Sequence, residues 1–179
     1  MTTPTAAAPP PPSADALCFT LNGAIERPTD WTPTTTLLAY LRATGRTGSK
    51  EGCAEGDCGA CAVALADSSV EGPIFRATNS CIVLLGSLHG RAVLTVEGLT
   101  QAGEAAHPAQ AAMVAALGSQ CGYCTPGFVM TLTHLFSAEP NADEATLREA
   151  LGSNICRCTG YVKILAAARD AQARLRTQP

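Results

Sequence analysis

The apolar and polar positions of this chain fall into two unlike halves behind a featureless start. Residues 1 to 15 mix Ala, Pro, Thr and Ser without apolar periodicity. Such a segment buries too little surface to offset the cost of ordering it, which predicts a disordered tail. Cys18-Phe19-Thr20-Leu21, followed by Asn22-Gly23, reads as a strand entering a hairpin, because Asn-Gly readily supplies the positive φ angles of a tight turn. Thr35 to Ala43 spaces Leu37, Leu38 and Leu41 as one face of a helix stopped by Gly45. Ala62 to Ala66 and Arg91 to Val96 are short apolar segments with β-branched residues, as strands require, and Cys81 to His89 fits either a helix or a buried strand. Up to about residue 98 the pattern predicts a small α+β unit with a mixed or antiparallel sheet.

From Pro108 the period changes to that of helices. Pro108 opens a first helix carrying Met113, Val114 and Leu117 and closed by Gly118. Thr125-Pro126 opens a second, with Phe128, Val129, Leu132, Leu135 and Phe136 on one face and Pro140 beyond its end. Asn141 with Glu144 resembles a capping box for a third helix through Leu151, stopped by Gly152. A fourth, from Gly160, aligns Tyr161, Ile164, Leu165, Ala168 and Leu175. Four amphipathic helices with short links predict a small bundle, joined to the first half near residues 98 to 107. No internal repeat is evident.

Composition narrows the class. With 179 residues, 46% of them hydrophobic, the chain can build a core without disulfides. A charged fraction of 15% and a net charge of -3 argue against nucleic acid as the main partner. The longest apolar run, around Cys81 to Leu85, is far short of a membrane span, and the start has neither a basic nor an apolar signal region. A cytoplasmic protein is therefore expected, in which cysteines are more often metal ligands than disulfides. Nine cysteines is an odd number that two four-thiol sites plus one ordinary buried thiol would account for.

Lys50-Glu51-Gly52-Cys53-Ala54-Glu55-Gly56-Asp57-Cys58-Gly59-Ala60-Cys61 spaces its thiols C-x4-C-x2-C, and Cys81 follows after nineteen residues. This is the plant-type 2Fe-2S ferredoxin spacing. Gly52, Gly56 and Gly59 would let backbone N–H groups approach the sulfurs, while Glu51, Glu55 and Asp57 would make reduction harder. A structural zinc site is the alternative, but zinc knuckles usually pair two short C-x2-C units. Gly45 to Lys50 fails the phosphate-loop spacing and reads as a turn.

The second set comprises the C-x2-C of Gln120-Cys121-Gly122-Tyr123-Cys124 and the C-x-C of Cys156-Arg157-Cys158, each just before a predicted helix. Helix N-termini offer free N–H groups and partial positive charge, so two of them side by side favour a four-thiolate, anionic centre. Two alternatives stay open: structural zinc, and a thioredoxin-like Cys121/Cys124 exchange pair. The latter expects a preceding strand and leaves Cys156 and Cys158 unexplained. Cys18 belongs to neither set and suits a small buried hydrophobe. His89, His107 and His134 are isolated and fit surface or capping roles, and the basic C-terminus (Arg157, Lys163, Arg169, Arg174, Arg176) fits a solvated face.

Taken together, KEGCAEGDCGAC at 50 to 61, NSC ending at Cys81, TVEGL at 95 to 99, GSQCGYCTPGFVM at 118 to 130 and NICRCTGY at 154 to 161 resemble the iron-sulfur subunit of the xanthine dehydrogenase and aldehyde oxidase family of molybdenum hydroxylases. The resemblance implies an α+β fold: an N-terminal β-grasp, plant-type ferredoxin domain over residues 16 to 98, then a four-helix-bundle 2Fe-2S domain over 99 to 179. It implies one 2Fe-2S cluster on Cys53, Cys58, Cys61 and Cys81 and another on Cys121, Cys124, Cys156 and Cys158. It further implies a large molybdopterin-binding partner subunit, electron flow through both clusters toward FAD, and no substrate site on this chain. By position Gln120 and Cys158 match the family residues nearest the pterin, and Gly52, Gly56 and Gly59 match the ferredoxin loop. The sequence shows no dinucleotide fingerprint, so FAD is expected on a medium partner subunit, or another acceptor takes its place. Gly160-Tyr161-Val162-Lys163 departs from the Arg-Pro continuation common in xanthine enzymes, which weakens xanthine as the substrate, and the resemblance implies oxidation of an aromatic N-heterocycle or an aldehyde.

Overall fold

The structure is a computed structural model that describes residues 17–67 and 74–177; the predicted tail at 1 to 15 lies outside the described residues. The first half forms a five-stranded mixed sheet in the order β2-β1-β5-β3-β4. Its strands are β1 (Phe19–Leu21), β2 (Ala24–Glu26), β3 (Ala62–Asp67), β4 (Ile74–Asn79) and β5 (Ala92–Leu94). β1 and β5 pair in parallel, whereas β1/β2, β3/β4 and β3/β5 are antiparallel. The hairpin turn is as predicted: Asn22 (φ +51°) and Gly23 (φ +83°) both occupy the left-handed region. The Asn22 amide then ties the turn to the end of β5, its Oδ1 accepting from Thr95 N–H at 2.8 Å and its Nδ2 donating to Thr95 Oγ1 at 3.0 Å.

The two faces of β3 explain its composition. Val63 and Leu65 join Phe19, Leu21, Val93, Leu85 and Leu88 in a core closed by Leu37 and Leu41 of helix α1 (Leu37–Ala43). Ala62 and Ala64 turn to the other face, where Met130 of the second half packs on them. Alternation along the strand thus sends large side chains to α1 and small ones to a helix that must come close. Leu85–Leu88 is a short 3₁₀ turn, settling the ambiguous segment after Cys81 as neither an α-helix nor a strand. β4 has no counterpart in the sequence reading, because Arg76 and Ala77 are exposed and Phe75 is only half-buried, so the edge strand lacks clean alternation.

In the second half α2 (Pro108–Ala115), α3 (Thr125–Ala138), α4 (Glu144–Leu151) and α5 (Val162–Thr177) surround one core. Ala109 and Ala112 of α2 and Ala167, Ala168 and Ala171 of α5 are fully buried, so small side chains let these two helices pack closely. Two expectations need correction. In α2 only Met113 of the predicted stripe is buried: Val114 is 76% and Leu117 66% exposed. The helix ends earlier, with Leu117 itself left-handed (φ +52°) and the Gly118 N–H returning to Met113 O at 2.9 Å in a Schellman arrangement. The cap of α4 is Asp143, not Asn141: its carboxylate accepts from Thr146 N–H at 2.8 Å, and that interaction holds its pKa below the usual value. Among the described residues no helix is long and apolar enough to cross a membrane.

Candidate metal centres

The first set of thiols lies on the loop between α1 and β3 and on the turn after β4. The loop coils tightly, with Ala54 (φ +59°), Gly56 (φ +93°) and Gly59 (φ +68°) left-handed. Lys50 N–H donates to Ala60 O at 3.0 Å across its neck, and the Ser80 hydroxyl donates to Cys61 O at 2.8 Å. Cys53 and Cys58 face each other: each backbone N–H donates to the other's sulfur at 3.4 Å. N–H groups of Glu55 and Cys58 favour the thiolate of Cys53 and bring its pKa down to about 6. Cys61 and Cys81 form the other pair, buried beside Leu38. Burial, then the neighbouring Cys61 sulfur, pushes Cys81 up to about 12, opposed by the Gly56 N–H. Acidic Glu51, Glu55 and Asp57 are exposed on the rim, with Glu51 3.4 Å from Arg42.

The second set also meets two by two. Cys124 is the N-cap of α3 and Cys156 and Cys158 lie on the loop entering α5, as the predicted helix starts require. Cys121 and Cys158 place their sulfurs 3.5 Å apart on the exposed side. Cys124 lies against buried Cys156; burial first, then the Cys156 sulfur, pushes Cys124 up to about 12. Burial works to raise Cys156, but the Thr159 hydroxyl, 3.2 Å from its sulfur, and the Thr159 and Cys158 N–H groups outweigh it and lower its pKa. Gln120 is exposed, one residue before exposed Cys121. Among the described residues no three His, Cys, Asp or Glu side chains converge on one ion position. The thiols of each set meet in two pairs.

The predicted glycines divide. A Cβ on Gly52 would lie 2.8 Å from the Cys58 sulfur, so this glycine does let the backbone approach a thiol. One on Gly56 would meet Ile82, and one on Gly59 would meet Asn154 Nδ2 at 2.2 Å and Ser153 O at 2.4 Å. Gly59 therefore serves the contact between the halves. That contact was not read from the sequence. Ile155 N–H donates to Cys58 O at 3.0 Å, Asn154 Nδ2 donates to Gly59 O at 3.0 Å, and the Tyr123 hydroxyl donates to Glu51 O. A Cβ on Gly127 of α3 would be 2.2 Å from Gly59 O. Of the remaining cysteine and histidines, buried Cys18 and capping His107 match their expectations, whereas His89 and His134 are half-buried and bond distant elements rather than lying at the surface or at helix caps. Buried Cys18 donates its N–H to His89 Nδ1 at 3.3 Å, His107 caps α2, and His134 Nδ1 contacts Phe75 O at 2.5 Å.

Residues 19–85 match the family profile described as a 2Fe-2S iron-sulfur cluster binding domain, and residues 95–169 match that of a 2Fe-2S binding domain. The solved quinoline 2-oxidoreductase from Pseudomonas putida 86 has a chain 32% identical at a TM-score of 0.79, covering 92% of this chain and 98% of that one. The chain belongs to the xanthine dehydrogenase and aldehyde oxidase family of iron-sulfur proteins. Within it, aldehyde oxidase 2 of Cavia porcellus is 45% identical over 164 residues, and the xanthine dehydrogenase/oxidase of Gallus gallus 41% over 163, covering 90% and 89% of this chain. The chain spans only 12% of the length of each of those relatives. It likewise covers 17% of the aldehyde oxidoreductase of Desulfovibrio gigas, at 32% identity and a TM-score of 0.79. The two matched profiles give the chain a 2Fe-2S binding domain in each half. Asn154 and Ile155 open the segment NICRCTGY and bond the carbonyls of Gly59 and Cys58 in the loop of the first thiol set.

Proposed function

We propose that this chain carries two 2Fe-2S clusters, one on Cys53, Cys58, Cys61 and Cys81 and one on Cys121, Cys124, Cys156 and Cys158, as the electron-transfer subunit of a molybdenum hydroxylase. The pairing of the thiols carries the proposal. A two-iron cluster takes two protein thiolates on each iron, whereas structural zinc draws four ligands to within about 2.3 Å of one ion. Cys53 with Cys58, Cys61 with Cys81, Cys121 with Cys158 and Cys124 with Cys156 fit the first arrangement. The same pairing disfavours thiol exchange at Cys121 and Cys124, since each has its nearest partner on the other loop.

When bound, the clusters supply one-electron redox capacity. The chain's own residues hold the thiols, direct N–H groups at the sulfurs of Cys53, Cys58 and Cys81, and bury Cys61, Cys81 and Cys156 from water. We assign residues 16 to 98 to a β-grasp, plant-type ferredoxin domain, supported by the mixed sheet with α1 across one face, and residues 99 to 179 to a four-helix-bundle domain. Exposed Cys121, Cys158 and Gln120 form the side offered to a molybdopterin-bearing partner, and an FAD-bearing partner takes electrons from the ferredoxin side. The assembled enzyme is proposed to hydroxylate an aromatic N-heterocycle or an aldehyde in the cytoplasm, where reduced thiols persist.

Electron paramagnetic resonance of the dithionite-reduced chain tests the reading. Two distinct 2Fe-2S signals are expected, Cys61→Ser altering one and Cys156→Ser the other. A single signal, or both signals changed by either substitution, contradicts the assignment of thiols.

A further inference from the structure

We infer that Asn154 is a positioning residue that sets the spacing of the two clusters and hence their coupling; the inference rests on the two-cluster reading above. Asn154 is 3% exposed and ligates nothing, yet its amide joins three elements. Nδ2 donates to the carbonyl of Gly59, between Cys58 and Cys61 of the first set, at 3.0 Å. Oδ1 accepts from the Thr131 hydroxyl of α3 at 2.7 Å and from Ser153 Oγ at 3.3 Å. Two residues along its own strand of chain is Cys156 of the second set.

The surroundings are cut to this side chain. Gly59 is left-handed (φ +68°) with no room for a Cβ beside Asn154 Nδ2, and Gly127 is bare where Gly59 O rests on α3. A Cβ on Gly127 would also lie 2.9 Å from Asn154 Nδ2. The next residue completes the join, Ile155 N–H donating to Cys58 O at 3.0 Å. Adjacent residues 154 and 155 thus grip adjacent residues 59 and 58, and each grip is within two residues of a thiol from its own set. Because the bonds are buried, the amide needs both a donor and an acceptor end: asparagine supplies both in the required geometry. Aspartate has the same shape but no donor for Gly59 O, and would set two oxygens against each other in a buried site.

Displacement of this grip moves one set of thiols relative to the other without removing a ligand. The dipolar interaction of two paramagnets falls with the cube of their distance, so spectroscopy reads the spacing directly. In the fully reduced, full-length chain the two 2Fe-2S signals should broaden or split each other at low temperature, and the half-reduced chain should not show this. Asn154→Asp is expected to keep about four irons per chain, as two such clusters require, and both signals, while the mutual splitting becomes measurably smaller. Thr131→Val leaves the Gly59 bond but frees the amide to reorient, and should weaken the splitting less. Unchanged splitting in both variants overturns the inference, as does loss of a whole cluster in both, which would mark Asn154 as general scaffold. Absence of any 2Fe-2S signal from the unsubstituted chain is a separate failure, that of the cluster reading itself.

Discussion

Substituting alanine at Gly59 places a Cβ 2.2 Å from Asn154 Nδ2 and 2.4 Å from the backbone oxygen of Ser153, at a residue with φ of +68°. Two costs add. A left-handed conformation costs a non-glycine residue about 1–2 kcal/mol, and forcing an extra methyl into a close-packed contact costs about 1–3 kcal/mol. Together they come to about 2–5 kcal/mol, and at about 3 kcal/mol a chain of this size loses roughly 6–12 °C in Tm. Gly45→Ala is the control: its φ is +81°, but a Cβ there meets nothing within 4 Å, so only the conformational cost remains. That is about 1–2 kcal/mol. Gly127→Ala tests the same contact from the other side, since its Cβ would press on Gly59 O at 2.2 Å from a helical position. Thermal unfolding of the iron-loaded chain followed by circular dichroism should rank Gly59→Ala as clearly the less stable of the first two, with Gly127→Ala also destabilised although alanine is the better helix former. Equal losses for Gly59→Ala and Gly45→Ala would refute the contact between the two thiol-bearing loops.

Asp143→Ala should cost about 1 kcal/mol through loss of the α4 cap, while Asn141→Ala should leave urea unfolding unchanged; the reverse order would restore the cap read from the sequence. Tyr40 donates to Glu26 Oε2 at 2.5 Å, and burial, then that bond, raises its pKa to about 12 from 10.0. The neutral phenol is the favoured form in the fold, so its stabilisation is complete below pH 10 and is lost as pH rises toward 12. Tyr40→Phe should remove that part of the alkaline stability loss, and an identical pH profile for both proteins would contradict it. Cys18→Ala should leave iron content unchanged, because Cys18 is buried apart from both sets of thiols; lost iron would show that it takes part in one of them.

What the sequence revealed follows from where the determinants are local. The Asn22-Gly23 turn, the stripe of α1, the Thr125-Pro126 helix start and the thiol spacings are each contained in a few consecutive residues, and the structure contains each of them. Val114 and Leu117 misled because helical spacing shows a shared face but not whether anything covers it, and nothing among the described residues does. Leu117 also adopts the left-handed end that local preference assigns to Gly118. β4 escaped because an edge strand needs only one partner and can leave polar residues outward. Long-range contacts were the least legible part of the site. Asn154 and Gly59 are 95 residues apart, and nothing in either segment announces the other. The alanines at 62 and 64 held a hint, since a strand that small on one face leaves room for a neighbour to approach closely.

Metal and sulfide analysis of the anaerobically purified chain tests the central claim most directly. Two 2Fe-2S clusters require about four irons and about four acid-labile sulfides per chain. Substitution of Cys81 or of Cys124 should each remove about half of both. A colourless protein holding zinc and no sulfide would contradict the account.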